Sequence, residues 1–324
     1  MNRRHFIKQT AFTGAALATS AIAGKEVLQA QALSCNGGIL GVESIPEQSL
    51  LTILHTNDVH SRLEPFPMDG GRNQGLGGVA ARASIIQSVR EENPATLLLD
   101  AGDIFQGTPY FNLYKGEPEI KAMTKMGYDA VTMGNHDFDA GIENFANQFT
   151  HANFPVVISN YDFKETPMEF LYKPYTIIQK GKQRIGILGV GIELEGLVPK
   201  NLYGNTVYND PIVAANTTAD ILKQKKCDLI ICLSHLGDKY SDNKVSDEIL
   251  AKESRNIDLI IGGHTHRFFD QPRKYKNRDG GDILVNQVGW GGIQMGRLDY
   301  NFSEAKRNKS PKAHTVVIMR KTSE

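Results

Sequence analysis

The sequence predicts an α/β protein built from layers of helix and largely parallel sheet. Two observations carry this. Short β-rich apolar runs alternate along the chain with stretches whose apolar residues recur at helical spacing, the pattern of a layered α/β domain. Several runs, Leu229-Ile230-Ile231-Cys232-Leu233 among them, are continuously apolar, as strands covered on both faces must be.

In order, Leu50 to Leu54 forms a first strand running into His55-Thr56-Asn57-Asp58-Val59-His60. A Gly-rich loop from Gly70 to Gly78 leads to a helix that starts at Val79 and ends near Asn93-Pro94. Thr96 to Leu99 is a second strand, closed by Asp100-Ala101-Gly102-Asp103. Pro118 starts a helix that Gly127 caps. The third strand, Ala130 to Met133, breaks into Gly134-Asn135-His136-Asp137-Phe138-Asp139, and a helix follows over Ile142 to Phe149. Val156 to Ile158 and Ile185 to Val190 are further strands. A helix over Pro211 to Lys226 presents Ile212, Ala215, Ala219 and Leu222 on one face and feeds Leu229 to Leu233, then Ser234-His235. Val245 to Glu253 is a short helix, and Ile257 to Ile261 is a strand ending in Gly262-Gly263-His264-Thr265-His266. Ile283 to Val285, the turn Gly289-Trp290-Gly291-Gly292 and a strand over Thr315 to Met319 complete the pattern.

The chain has 324 residues, 40% of them hydrophobic and 22% charged, enough for a substantial core. Lys+Arg and Asp+Glu both number 36, so no global field draws the protein to a nucleic-acid polymer or a membrane surface. The first residues differ in kind. Met1 to Lys8 is basic and Ala11 to Gly24 is apolar, small and uncharged, the layout of an export signal and too short for a membrane span. Arg3-Arg4-x-Phe6-Ile7-Lys8 resembles a twin-arginine signal, and an amphipathic helix or a basic tail is the alternative. The expected organisation is a signal over 1–32, a polar linker over 33–48 and a catalytic domain over 49–320, with the mature protein periplasmic or otherwise extracytoplasmic. Ala32-Leu33-Ser34 is a poor lipid-attachment box for Cys35. Cys227 and Cys232 flank one strand, too far apart to bridge, and both read as structural thiols.

Five strands end in Asp58-x-His60, Asp103, Asn135-His136, His235 and His264-x-His266. In α/β sheets ligands bind beyond the carboxyl ends of the strands, so residues far apart in sequence can meet in one crevice. Asp58 and His60 are two apart, as are His264 and His266; in extended chain that spacing puts both members on one side. Imidazoles, carboxylates and an amide oxygen together suit Zn, Mn or Fe. There are too many ligands for one ion, so two divalent ions are expected, with Asp103 as the natural bridge. A lone histidine at a strand end is more often a satisfied polar residue than a ligand. Five of the nine histidines nevertheless fall directly after strands, which reverses the odds.

Asp58-x-His60, Gly102-Asp103-x-x-Gln106-Gly107-Thr108, Gly134-Asn135-His136-Asp137, His235 and Gly262-Gly263-His264-Thr265-His266 resemble the motifs of calcineurin-like metallophosphoesterases. The forms around Gln106 and Phe138, with Gly77-Gly78-Val79-Ala80-Ala81-Arg82 before them, look like the 5'-nucleotidase branch. The resemblance, running from about Leu50 to Tyr300, implies an α-β-β-α sandwich with mixed, largely parallel sheets. It assigns one metal to Asp58, His60, Asp103 and His266, and a second to Asp103, Asn135, His235 and His264.

The implied activity is phosphomonoester hydrolysis by hydroxide formed between the two metals. Asn135 and His136 would meet the phosphoryl group, with His136 protonating the leaving alcohol. Asp139 would accept the other N–H of His136; its alternative role is a helix N-cap for Ile142 onward. Asp137 reads equally as a turn residue or as a support behind the site. Gln106 and Thr108 would shape the loop under Asp103, and Arg62 reads as a solvated surface residue, with contact to an anionic substrate as the alternative. Nucleotidases of the branch carry a C-terminal domain that stacks the base, and this sequence ends at Glu324. The expectation is therefore a separate chain supplying that half, or a phosphorylated small molecule other than a nucleotide. A phosphodiesterase, another ester hydrolase, or a non-catalytic scaffold on this fold are the competing readings.

Overall fold

The computed structural model describes residues 50–302 and 311–319. The signal, the linker and Cys35 lie outside the described residues. The first half comprises β1 (Leu50–Thr56), α1 (Val79–Glu92), β2 (Thr96–Asp100), α2 (Pro109–Tyr114), α3 (Glu117–Met126), β3 (Ala130–Val131), a 3-10 turn (His136–Phe138), α4 (Ile142–Phe149), β4 (Val156–Val157), β5 (Tyr161–Asp162), β6 (Tyr172–Lys173), β7 (Tyr175–Lys180) and β8 (Gln183–Gly191). Then come α5 (Lys200–Tyr203), β9 (Val207–Tyr208), α6 (Pro211–Gln224), β10 (Leu229–His235), α7 (Asp247–Glu253), β11 (Leu259–Gly262), β12 (Arg273–Lys276), β13 (Asp282–Asn286), β14 (Gln294–Asn301) and β15 (Lys312–Val317).

Of the three sheets among the described residues, the two large ones run β15-β14-β1-β2-β3-β4-β6 and β12-β13-β11-β10-β8-β7, and β5 pairs with β9 in a small third. From β1 to β6 the first sheet is parallel, as is β13-β11-β10-β8 in the second. Antiparallel pairs sit only towards the edges of these two sheets. Alternate residues explain the layering. Leu51, Ile53, Leu97 and Leu99 of the first sheet pack with Ile187, Leu229, Ile231, Leu233, Leu259 and Ile261 of the second. Leu54 and Leu98 point the other way, into a core with Ile86, Ile120 and Phe145 from the first helix layer. Leu188, Ile230, Cys232 and Ile260 do the same against Ala215, Ala219, Leu222 and Leu250. The result is the expected α-β-β-α sandwich, and each fully buried Leu or Ile contributes roughly 1.5–3 kcal/mol.

Local chemistry sets the helix ends. Asp210 caps α6 by accepting from the N–H groups of Ile212 and Val213, and Gly127 closes α3 in the left-handed conformation, φ 71. Several boundaries shift from the sequence reading, among them the last strand, which runs Lys312–Val317 and not Thr315 to Met319. Helix α7 begins at Asp247, because the Ser246 hydroxyl accepts from Ile249 N–H and fixes the N-cap there, and α6 stops at Gln224. Strands β5, β6, β7, β9, β12 and β14 and helices α2 and α5 were not anticipated. β14 mixes Gln294, Arg297 and Asp299 with apolar residues, yet it pairs with β1 through six residues. Tertiary pairing outweighs its weak pattern.

Candidate metal centre

Strands β1, β2, β3, β10 and β11 all end on one side, and the turns that follow aim their polar residues at one point. These turns are not extended. Asp58 (φ 50), His60 (φ 50), Asp103 (φ 55), His264 (φ 72) and His266 (φ 53) are all left-handed. Left-handed backbone costs each residue roughly 1–3 kcal/mol, and such strain gathers at functional sites. This corrects the strand-alternation argument: turn geometry turns Asp58 and His60, and His264 and His266, toward the same centre.

Two clusters share Asp103. Asp58, His60, Asp103 and His266 bring one ligand atom each within 4.8 Å of one another, and Asp103, His235 and His264 do the same. In the first, His60 Nε2 lies 2.9 Å from His266 Nε2 and Asp58 Oδ1 lies 3.3 Å from His266 Nε2. In the second, His235 Nε2 stands 3.1 Å from Asp103 Oδ2. Asn135 Oδ1 meets His264 Nδ1 at 2.8 Å, which places the amide at this second cluster.

These residues fit a pair of divalent cations. His60 Nδ1 lies against the Phe105 carbonyl and His235 Nδ1 against that of Ala101. A carbonyl only accepts, so each Nδ1 carries the hydrogen and each neutral ring turns a lone pair inward from Nε2. Nε2 of His60 then faces a second imidazole nitrogen. Nε2 of His235 is fully buried and makes no aligned hydrogen bond, although Asp103 is within ion-pair reach. Lone pairs confronting carboxylate oxygens in a dry site need a cation or a proton between them. The titration shifts agree. Burial opposes charging of His235, yet Asp103 and Asp58 push it up to about 10. Burial alone would raise the Asp103 carboxyl, but His235, His60 and His136 hold it well below the usual carboxylate range. Burial brings His264 down to about 4.

The Gly134–Asp139 segment divides its side chains. His136 donates its backbone N–H to Asp103 Oδ1 at 2.8 Å and lies edge-on to His60, with ring centroids 5.3 Å apart. Its Nδ1 is 2.8 Å from Asp139 Oδ2, and its side chain is 38% exposed, so the ring opens to incoming substrate. Gly141, not Asp139, occupies the N-cap of α4. Asp137 is buried and accepts from the N–H groups of Gly134, Asp103, Ile104 and Phe105, clamping two loops together. Gly134 is obligatory for space: a Cβ there would collide with Asp103 Oδ1 and His235 Nε2.

Several supporting residues were missed or underread. Asn57 accepts from Val288 N–H and donates to the Gly289 carbonyl. Ser61, next to His60, bonds Glu119 and Thr108. Arg62 is half-buried and lies 4.1 Å over the Phe66 ring, so it is a packed residue and not a freely solvated one. Trp290 stacks on His266; a lone tryptophan between glycines was its only sequence signal. Cys227 and Cys232 are buried free thiols.

The fold and this cluster define a metallophosphoesterase scaffold. Residues 51–268 match the family described as calcineurin-like phosphoesterase, and the chain belongs to that family. It is similar to the 5'-nucleotidase of Bos taurus, 37% identical over 275 residues, covering 78% of this chain and 47% of the relative. Among solved structures it resembles the 5'-nucleotidase precursor of Thermus thermophilus, with TM-score 0.73 and 32% identity, covering 83% of this chain and 55% of that one. It also resembles the calcineurin-like phosphoesterase YfkN of Bacillus subtilis, with TM-score 0.68 and 28% identity, covering 84% and 91%. The chain spans about half the length of the curated relatives it matches. No described helix is long and apolar enough to cross a membrane.

Proposed function

We propose that the protein hydrolyses phosphomonoesters, nucleoside 5'-monophosphates first among them, at a site that takes two divalent ions. The pairing of His136 with Asp139 beside two ligand clusters that share Asp103 carries this reading. Asp58, His60, Asp103 and His266 would hold one ion, and Asp103, Asn135, His235 and His264 the other; Zn, Mn and Fe all suit the donors. When bound, the ions would neutralise the phosphoryl oxygens and make a water acidic.

The chain's own residues do the rest. Asn135 and His136 present an amide and an imidazolium to the phosphoryl group. Asp139 holds Nδ1 of His136, which leaves Nε2 to give its proton to the departing alkoxide as water oxygen bonds to phosphorus and the ester P–O bond breaks. The likeness to the 5'-nucleotidases of Bos taurus and Thermus thermophilus supports nucleotides as the substrate class. Phosphate release from 5'-mononucleotides, a cyclic nucleotide and a diester, each with Mn and with Zn, tests this. Faster turnover of the diester than of every monoester would overturn it. We also infer export through residues 1–32; Arg3→Lys with Arg4→Lys should keep the protein in the cytoplasm, and unchanged export would contradict that.

A further inference from the structure

The imidazoles of the centre are mostly fixed by a hydrogen bond. His60 and His235 donate from Nδ1 to backbone carbonyls, His136 is held by Asp139, and His264 meets Asn135. His266 is different. Its Nδ1 has no hydrogen bond among the described residues, and its side chain is 40% exposed. With only Nε2 engaged, 2.9 Å from His60 Nε2, the ring is held on one side alone, and its remaining freedom must be ordered as the ion binds.

Two rings meet that of His266: His60 edge-on, with centroids 4.9 Å apart, and Trp290 across its face. The imidazole of His266 and the indole are stacked with centroids 5.9 Å apart and planes 17° from parallel, within the range of offset stacking. Phe66 meets Trp290 edge-on at 5.4 Å and 88°, and the Arg62 guanidinium covers the Phe66 ring.

The turn carrying Trp290 is tied to two of the three ligand loops of the first cluster. Gly291 N–H donates to the Asp58 carbonyl at 2.7 Å, and Gly289 N–H donates to the Arg267 carbonyl at 2.8 Å. Gly289 (φ 75), Gly291 (φ 64) and Gly292 (φ 61) are all left-handed. A side chain at Gly289 would strike Phe268, and one at Gly292 would strike Arg82. Three glycines therefore let a bulky indole be delivered beside a ligand whose neighbours are already crowded.

We propose that Trp290 is a positioning residue for His266: its indole face sets the imidazole plane so that Nε2 points at Asp58 and His60. This rests on the reading that Asp58, His60, Asp103 and His266 hold a divalent ion. Since Trp290 is the only tryptophan of the chain, all indole emission arises beside His266.

The experiment is a Mn(II) titration of the full chain, followed by indole emission in the wild type and by electron paramagnetic resonance in all variants. Wild-type emission should be quenched in step with binding of one of the two ions. Trp290→Leu should weaken one ion by about 10- to 100-fold, the usual cost of losing a residue that orients a ligand, while Trp290→Phe, which keeps a stacking face, restores most of it. If Trp290→Leu fails to fold, Phe66→Leu leaves the indole present without its edge support and should weaken the same ion. Two ions bound by the wild type, with unchanged affinity in Trp290→Leu or, where that does not fold, in Phe66→Leu, overturn the proposal. A wild type that binds no Mn(II) instead overturns the metal reading beneath it.

Discussion

His136 and Asp139 are joined by a 2.8 Å contact between Nδ1 and Oδ2 across a single 3-10 turn. With three residues per turn, positions i and i+3 eclipse, so backbone geometry alone brings the carboxylate to the ring. The hydrogen bond to Asp139 is the largest influence on His136. It outweighs burial and, with the charge of Asp103, lifts the imidazole above its ordinary value.

If His136 is the proton donor, His136→Ala should lower kcat by about 10²–10⁴-fold, the usual worth of a positioned acid, while ion content stays at the wild-type level. Asn135→Ala should lose an ion as well, since its amide oxygen meets His264. Elemental analysis of both variants separates the roles. Equal metal loss in the two would contradict the division.

Asp139→Asn should change the pH profile. The protonated ring is the working form, so turnover is full below the His136 pKa and falls as pH rises through it. Removing the carboxylate takes away the largest upward influence, and the fall should begin at lower pH. A kcat–pH curve whose alkaline limb does not move would count against this pairing.

Gly134→Ala tests the crowding of the centre without invoking backbone strain, because Gly134 is not left-handed. The added methyl group would meet Asp103 Oδ1 and His235 Nε2, so the expected result is a folded chain lacking at least one ion, with metal content read by mass spectrometry. Wild-type ion content in the folded variant would refute the close approach.

His55 predicts an acid sensitivity unrelated to catalysis. It is fully buried in β1 and bonds Asn286 through Nε2, and burial drags its pKa from 6.5 to about 3. A depressed value means the contribution is intact above pH 6.5 and is lost as pH falls towards 3, at about 1.4 kcal/mol per pH unit. Urea unfolding of the metal-free protein at pH 7 and pH 5 should show the wild type losing more stability than His55→Gln. Equal losses would rule His55 out as the cause.

Much of this was legible in the sequence because the layers bury both faces of each sheet. Runs such as Leu229–Leu233 have no polar face to hide, and strand ends are where α/β folds place ligands. The seven metal-ligand candidates converge. Less visible was how they are aimed. Left-handed backbone at Asp58 and His264 is imposed by tertiary contacts, such as Gly291 N–H to Asp58 O, which no local pattern announces. Asp137 was ambiguous because its four N–H partners come from two loops more than thirty residues apart. Trp290 gave little signal because its importance lies in what stacks on it.

The central claim is that these residues hold two ions and that phosphomonoester hydrolysis depends on them. The direct measurement is metal content per chain alongside phosphate release from AMP, before chelation, after it, and after Mn(II) is restored. Two ions per chain, release abolished with their removal and recovered on their return are the results predicted. Undiminished release from the metal-free protein, or two bound ions with no phosphomonoester turned over, would contradict the account.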